Sequence, residues 1–239
     1  MTLPAALHPA LSRGFASGLS SRAARWRPGL GDDVHHSEIF APGDEGAGAG
    51  MALALALDRV AVERPWLWVQ DKTAQRLGGV PYRPGLPAGL RDRLVHVAAD
   101  KPEDALFALE EGLRCRELAF VIGEIAGNPK TLGMTASRRL SLAAEKHGTP
   151  LWLVRLDARR DLGSARLRWE VASAPSPHPQ WNDHAPGVAS WTAELFRSHT
   201  YQPGRWILRD DARLAAEPDT PPHHGDLVPA AGARSLAAG

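Results

Sequence analysis

A glycine-rich turn between a short apolar stretch and a helix-forming run constrains this chain more than any other feature. The segment covers residues 38–55 and reads EIFAPGDEGAGAGMALAL. A strand, a glycine-rich turn and a helix in this order form the layout of a phosphate-binding loop, in which backbone N–H groups at a helix N-terminus hold phosphate. The segment therefore predicts an α/β fold of the kind that carries such a loop.

The loop lacks the side chains that would make it work. A functional loop reads G-x-x-x-x-G-K-[ST], where the Lys reaches the terminal phosphates and the hydroxyl binds Mg²⁺. Gly43 and Gly48 keep the spacing, but Ala49 replaces the Lys and Gly50 replaces the hydroxyl residue. Two acidic residues inside the loop would also repel a phosphate. We therefore expect a vestigial loop, no bound nucleotide or other cofactor, and no catalysis.

The acidic residues that normally act with such a loop in binding Mg²⁺ and activating water are either without a metal to support or replaced. Glu124 ends an apolar run at 118–125, where nucleoside-triphosphatases place the Walker B carboxylate that supports Mg²⁺. Without the Lys and the hydroxyl, Glu124 has no metal to support. Asp71 and Lys72 occupy the region where ATP-hydrolysing proteins place a water-polarising Glu, and a protonated Lys cannot act as a general base.

Strands and helices alternate through the first two thirds of the chain. Apolar runs predict strands at 37–41, 66–70, 93–97, 118–125 and 150–156, and helices are predicted at 49–62, 102–115 and 135–147. Such alternation implies a mostly parallel sheet with helices on both faces. Residues 166–210 instead alternate apolar and polar side chains, which predicts an antiparallel extension with a hairpin formed by 190–197 and 204–208.

The predicted organisation has three parts. Residues 1–34 form an N-terminal arm with a short helix, and residues 35–210 form the core that includes the extension at 166–210. Residues 211–239 are rich in Pro, Ala and Gly, so we predict a disordered tail.

Charge and composition limit the partners. The 239 residues carry 28 Lys plus Arg and 27 Asp plus Glu, so the formal charge of +1 gives no global field for nucleic acid. Any DNA contact would be weak and local. The candidate contacts are Arg22, Arg25, Arg27, Arg138 and Arg139. The alternative for the arm is a solvated segment with Trp26 packed on the main domain.

Other features exclude several classes of protein. The single cysteine, Cys115, forms no intramolecular disulfide, and it is interpreted as a packed thiol at a helix end. No apolar run is long enough to span a bilayer, and the N-terminus does not resemble a signal peptide, so a cytoplasmic location is expected. The pairs His35–His36 and His223–His224 lack further ligands at metal-site spacing, and no metal is expected.

Four segments together support a resemblance to a family. The degenerate loop followed by residues 105–115 (ALFALEEGLRC) resembles the same order of segments in the ImuA family. Residues 132–140 (LGMTASRRL) look like that family's "LTASRRL" helix start. Residues 168–176 resemble that family's "RWRV…PS" segment, and residues 194–206 resemble its "ELLR…RPGxW" hairpin. The resemblance extends from about Leu30 to Asp210 and does not include the tail.

The resemblance implies a RecA-like core without an intact phosphate loop. It further implies an accessory role in damage-induced translesion DNA synthesis and mutagenesis, as part of the SOS response. The implied partner is an ImuB-like inactive homologue of Y-family polymerases, with an error-prone DnaE-type polymerase and RecA as further candidates. Self-association is left open, because RecA-like cores often pack edge to edge.

Two other functions remain open at this point. One is a divergent ATPase of DNA repair that takes a lysine from elsewhere, such as Lys72 or Lys130. The other is a cell-division inhibitor of the SulA type, which binds its partner without catalysis. For partner binding, the aromatic-rich extension and its sheet edge suggest Tyr201, Arg205 and Trp206 near the hairpin turn.

Overall fold

The computed structural model describes residues 24–29, 34–61, 63–182, 184–211 and 213–218. The strands are β1 (Ala24–Arg25), β2 (His36–Ala41), β3 (Trp66–Asp71), β4 (Leu94–Ala99), β5 (Val121–Ala126), β6 (Leu151–Leu156), β7 (Leu167–Ser173), β8 (Ser190–Ser198), β9 (Tyr201–Gln202), β10 (Gly204–Asp211) and β11 (Arg213–Pro218). The helices are α1 (Ala47–Arg59), α2 (Lys72–Gly78), α3 (Ala88–Arg91), α4 (Pro102–Arg114) and α5 (Met134–His147).

Nine of these strands form one sheet in the order β11-β10-β8-β7-β2-β6-β5-β3-β4. The six strands from β7 to β4 pair parallel with one another, and the pairs β7–β8, β8–β10 and β10–β11 are antiparallel. The predicted mixed α/β fold with a mostly parallel sheet is confirmed. Strand β2, which leads into the glycine-rich loop, lies near the centre of the sheet between β6 and β7.

Helices cover both faces of the parallel half. α1 packs on one face in a core that contains Ile39 and Trp169, and α4 and α5 pack on the other face around Leu109 and Leu140. Every residue of β2, β3 and β6 is therefore buried. Continuous apolar runs are the pattern that such doubly covered parallel strands require.

Local signals explain where the helices begin and end. Pro102 begins α4, where its missing N–H costs nothing, and Glu103 in the first turn complements the helix dipole. The Asp71 carboxylate caps α2 by accepting the Ala74 N–H at 2.7 Å. α5 ends at Gly148 in the left-handed conformation, with φ of 68°, as its sequence predicts.

The antiparallel extension differs from its prediction in one strand. The hairpin is confirmed as β8 and β10, with Trp206 opposite Ala193. β7 was also predicted to be antiparallel, but it pairs parallel with β2 and antiparallel only with β8. Burial alternates from Trp169 to Ala172 in β7 because no helix of the described residues covers one of its faces there, which gives the same sequence pattern as an antiparallel strand.

The ends of the described chain bring further corrections. β11 lies within the predicted disordered tail and pairs antiparallel with β10, because Leu214 packs against the α1 side of the core. Residues 219–239 lie outside the described residues, as do residues 1–23, which include Arg22. Cys115 is exposed rather than packed, because α4 ends just before it.

The start of the described chain joins the core. β1 pairs with β9, and the Trp26 ring lies 4.7 Å from the Trp169 ring and 5.6 Å from the Trp206 ring in edge-to-face geometry. The packed alternative for Trp26 is therefore confirmed. None of the described helices combines the length and apolar character that crossing a membrane requires.

Candidate functional site

The glycines of the loop serve helix packing. α1 begins at Ala47, so Gly48 and Gly50 lie inside its first turn. A Cβ on Gly48 would lie 2.7 Å from a Val154 methyl carbon, and a Cβ on Gly50 would lie 3.0 Å from the Trp191 ring. The first distance is shorter than carbon atoms accept in a packed core, and the second would require the Trp191 ring to shift. The spacing that resembles a phosphate loop thus lets α1 approach the sheet closely.

A carboxylate of the chain occupies the start of the loop. The Gly43 N–H donates to Oδ1 of Asp157 at 2.8 Å. Asp157 follows β6 and adopts the left-handed conformation with φ of 49°, which Asp tolerates better than most residues. Nearby, the Ser173 N–H donates to Oε1 of Glu45 at 3.0 Å. Carboxylates of the protein itself, from Asp157 and Glu45, therefore already accept hydrogen bonds from backbone N–H groups at and beside this loop.

Glu124 is buried on the other side of the vestigial site. It lies in β5, and the indole N–H of Trp68 donates to its Oε1 at 2.6 Å. Burial raises the pKa of Glu124 from 4.5 to about 7, although hydrogen bonds from Trp68 and Gln70 oppose the rise. A carboxylate that is enclosed and bonded in this way is not presented to a hydrated magnesium ion.

The space between the loop and Glu124 is too small for a nucleotide. Gln70 donates to the Gly79 carbonyl oxygen at 2.9 Å and contacts His96 Nε2 at 2.9 Å, which fixes the segment after α2 over the site. The remaining cavity has a volume of about 80 Å³. Pockets for small ligands and cofactors usually measure about 300–1,000 Å³. The residues present do not fit a magnesium–nucleotide complex.

The two lysines considered as substitutes do not complete the site. Lys72 begins α2 directly after β3 and pairs with Asp100 at 3.1 Å, and two other strands separate β3 from β2. Three strand spacings put about 14 Å between β3 and the strand that leads into the loop. Lys130 is exposed in the turn before α5.

A buried charge cluster beside the loop was missed from sequence. Glu38 receives the Nε–H of Arg168 at 2.6 Å and an N–H of Arg155 at 3.4 Å, and all three side chains are at most 3% exposed. Arg155 also donates to the Gly127 carbonyl oxygen at 3.1 Å and pairs with Asp161. Charged residues inside otherwise apolar strands were the available signal, since buried charges require partners.

Histidines give no metal site in the described part of the chain. His36 is buried, and its Nδ1 lies 2.7 Å from the Ser141 hydroxyl. Burial, followed by the nearby Arg168, lowers the pKa of His36 to about 3, so the ring is neutral at physiological pH. Among the residues that the structure describes, no three His, Cys, Asp or Glu side chains group as metal ligands.

The arginines proposed for DNA contact lie on two separate faces. Arg25 and Arg27 are exposed beside Trp26 on the α1 side, whereas Arg138 and Arg139 are exposed on α5 on the opposite side. Arg139 is also engaged, because its Nε–H donates to Glu110 at 2.9 Å. The described residues therefore do not combine these arginines into one basic surface.

We expect any DNA binding to be weak, sequence-independent and sensitive to salt, with a shallow slope because few side chains can contact phosphates. Arg138→Ala should reduce the slope of log affinity against log salt concentration by no more than about one, because one side chain neutralises at most one phosphate. Fluorescence anisotropy with labelled single-stranded and duplex DNA at several salt concentrations measures this slope. Sequence-selective, nanomolar binding that persists at high salt would contradict the expectation.

The partner-binding candidates also need correction. Trp206 is 4% exposed and packs against Trp26 and Trp169, so it cannot contact a partner. Tyr201 is half-buried and pairs with the β1 strand. Arg205 is exposed but donates to Glu194 at 3.0 Å. Aromatic residues of alternating strands cannot be assigned to a face until the packing of neighbouring elements is known.

The uncovered face of the extension is charged. Arg160 pairs with Glu170 and lies 4.1 Å from the centre of the Phe196 ring, and Arg205 crosses to Glu194. An open cleft of about 490 Å³ lies between this face and the glycine-rich loop. Its two arginines, Arg160 and Arg205, already have carboxylate partners, so the described residues of the cleft present no free cation to select an anionic ligand.

Comparisons with known proteins leave the geometry as the main guide to function. No family model matches the chain, and no curated protein matches it.

Proposed function

We propose that this chain is a non-catalytic, RecA-like accessory factor of damage-induced translesion DNA synthesis in the bacterial cytoplasm. It acts by binding a polymerase-like protein of the ImuB type. The resemblance of its motifs to the ImuA family supplies the process and the partner. The mostly parallel sheet, with the glycine-rich loop at the end of a central strand, is consistent with a RecA-like core.

The closed vestigial site is the observation that carries the non-catalytic part of the proposal. The Asp157 carboxylate accepts the N–H of Gly43 in the loop, and the Glu124 carboxylate accepts the indole N–H of Trp68. The cavity between the loop and Glu124 has a volume of only about 80 Å³. The chain thus keeps β2, the glycine-rich loop and Glu124, but its own side chains fill the space in which a nucleotide would bind. Binding to another macromolecule is then the function that the scaffold can still support.

We predict that restoring the lost side chains does not restore nucleotide binding. In the double variant Ala49→Lys with Gly50→Ser, the new Ser Cβ meets the Trp191 ring at 3.0 Å and the cavity stays too small. Calorimetry with Mg-ATP should detect no saturable binding by the variant or the wild type. Saturable binding by the wild type, with turnover lost on changing Lys72 or Lys130, would instead support a divergent ATPase.

Co-purification tests the proposed function directly. The full chain is expressed with an ImuB-like homologue of Y-family polymerases and purified through a tag on either protein. The expected result is a stable complex whose formation does not depend on added nucleotide. Capture of a cell-division protein in place of the polymerase homologue would overturn the proposal in favour of a SulA-type inhibitor.

A further inference from the structure

One tryptophan differs from all the others in its surroundings. All eight tryptophans lie within the described residues, and seven of them are between 0 and 6% exposed. Trp181 is 79% exposed. It lies in residues 174–189, which join β7 to β8 and which we call the Trp181 loop.

The Trp181 loop holds its tip in a defined turn. The Asn182 N–H donates to the Pro179 carbonyl oxygen at 3.2 Å, which closes a turn around Trp181. The side-chain oxygen of Asn182 accepts the His184 N–H at 2.9 Å, and the backbone carbonyl oxygen of Asn182 accepts the Ala185 N–H at 3.1 Å. Hydrogen bonds on the loop's own backbone therefore fix the turn from which the indole projects.

Both ends of the Trp181 loop are fixed to the sheet. The Ala174 N–H donates to the Ser190 carbonyl oxygen at 3.0 Å, and the Asp210 N–H donates to the Ala189 carbonyl oxygen at 2.9 Å. The two legs touch at Gly187, where a Cβ would lie 2.1 Å from the Pro177 carbonyl oxygen. An aromatic side chain on an ordered loop loses little conformational entropy on binding.

The surface beside Trp181 is concave and more apolar than polar. A cleft of about 460 Å³ is lined by three prolines, Gly187, Val188 and Trp181, and its polar lining residues are His178, Gln180 and Asp211. Ordered tryptophans beside apolar pockets are the side chains that most often dominate the binding energy of protein interfaces. The shape and composition of this surface fit a protein partner.

Local charge argues against nucleic acid at this surface. No Lys or Arg occurs between residues 169 and 196. The nearby strand ends bring Asp210, Asp211 and Arg213, all exposed, with a combined formal charge of −1. Stacking of bases on aromatic residues normally requires a cationic groove for the phosphates, and the described residues around Trp181 form no such groove.

We propose that the Trp181 loop docks the polymerase-like partner by inserting its indole into an apolar pocket that is bordered by basic residues. The basic border complements Asp210 and Asp211. This proposal rests on the proposed function for the identity of the partner. It moves the docking site from the hairpin turn near Tyr201 and Arg205 to the connection between β7 and β8.

A substitution pair tests the docking site. Trp181→Ala should weaken binding of the purified ImuB-like homologue by at least about tenfold, because it removes the buried aromatic contact. Tyr82→Ala is the matched control, since Tyr82 is 74% exposed on a different segment and should change the affinity less than about twofold. Thermal unfolding of both variants should match the wild type, since neither side chain is buried.

Fluorescence quenching gives a second readout. Acrylamide should quench a fluorescence component of the free protein that Trp181→Ala abolishes, because the other tryptophans are buried. A saturating, tryptophan-free fragment or variant of the partner should protect this component. Single-stranded DNA should not protect it, and protection by DNA at physiological salt would assign the loop to base stacking and overturn the proposal.

The outcomes separate the two proposals. If the wild type binds the partner and Trp181→Ala binds it equally well, the docking site is wrong and the proposed function stands. If the wild type does not bind the partner at all, both proposals fail. A tenfold loss with Trp181→Ala, an unchanged Tyr82→Ala variant and partner protection of the indole together support both.

Discussion

Replacing Glu38 by alanine is expected to lower the free energy of unfolding by about 3 to 5 kcal/mol. Glu38 is the shared acceptor of Arg155 and Arg168, and all three side chains are at most 3% exposed. Removing the carboxylate leaves buried guanidinium groups with Asp161 as their remaining acid in the cluster. A buried cation without its partner costs far more than the pair itself contributes.

Urea unfolding followed by circular dichroism measures this effect. For a chain of this size, the expected loss also lowers the melting temperature by about 10 °C. Glu38→Gln separates charge from packing, because it keeps an oxygen that can accept from Arg168 and fills the same space. We expect its loss to be smaller than that of alanine but still larger than that of any surface pair.

Glu194→Ala is the matched control for the Glu38 variants. Glu194 pairs with Arg205 and Arg160 on the uncovered face of the extension, where solvent screens the charges. Its removal should cost at most about 1 kcal/mol. If Glu38→Ala were as mild as Glu194→Ala, the two arginines would not depend on Glu38, and the buried cluster would have another source of stabilisation.

The parallel half of the fold was predictable because its constraints are local. Strands covered on both faces are mostly apolar, and β3, β5 and β6 have this pattern apart from a few buried polar residues. Helix ends such as Pro102 and Gly148 also have backbone preferences that apply in any context. The apolar strands, the residues at the helix ends and the alternation of strands with helices therefore all predict the same class of fold.

Strand direction and the role of the glycines were not predictable in this way. Burial alternates over the middle of β7 because no described helix covers one of its faces, and nothing in its residues distinguishes a parallel from an antiparallel neighbour. Gly48 and Gly50 have the spacing of a phosphate loop, but only the position of α1 against Val154 and Trp191 shows that they serve packing. Both properties depend on contacts between residues that are distant in sequence.

The vestigial site and the docking surface show the same limit. The missing Lys and hydroxyl were visible at Ala49 and Gly50, but the occupation of the Gly43 N–H by Asp157 was not, because 114 positions separate the two residues. Trp181 was one of several aromatics in the extension, and its exposure depends on the turn that Pro179 and Asn182 close. Side-chain type alone does not separate a buried tryptophan from an exposed one.

Glu124→Gln is expected to raise the free energy of unfolding by up to about 3 kcal/mol above pH 7. The pKa of Glu124 is raised from 4.5 to about 7 by burial, so the folded protein holds a proton that the unfolded chain has already lost between these two values. The stabilisation from this proton is complete below pH 4.5 and is lost as the pH rises to about 7. At about 1.4 kcal/mol for each pH unit, the loss is about 3 kcal/mol.

Glutamine removes this loss because it is neutral at every pH and its amide oxygen can still accept the Trp68 N–H that Glu124 Oε1 receives. Urea unfolding at pH values from about 4 to about 8 should therefore show similar stability for variant and wild type at the acid end and a growing advantage for the variant up to about pH 7. Glu194→Gln is the control of opposite sign. The hydrogen bond from Arg205 lowers the pKa of Glu194, so that variant should show no gain above pH 7. A Glu124→Gln variant that was no more stable than the wild type at pH 8 would mean that the Glu124 carboxylate is stabilised as an anion, which is the state that a working magnesium site would need.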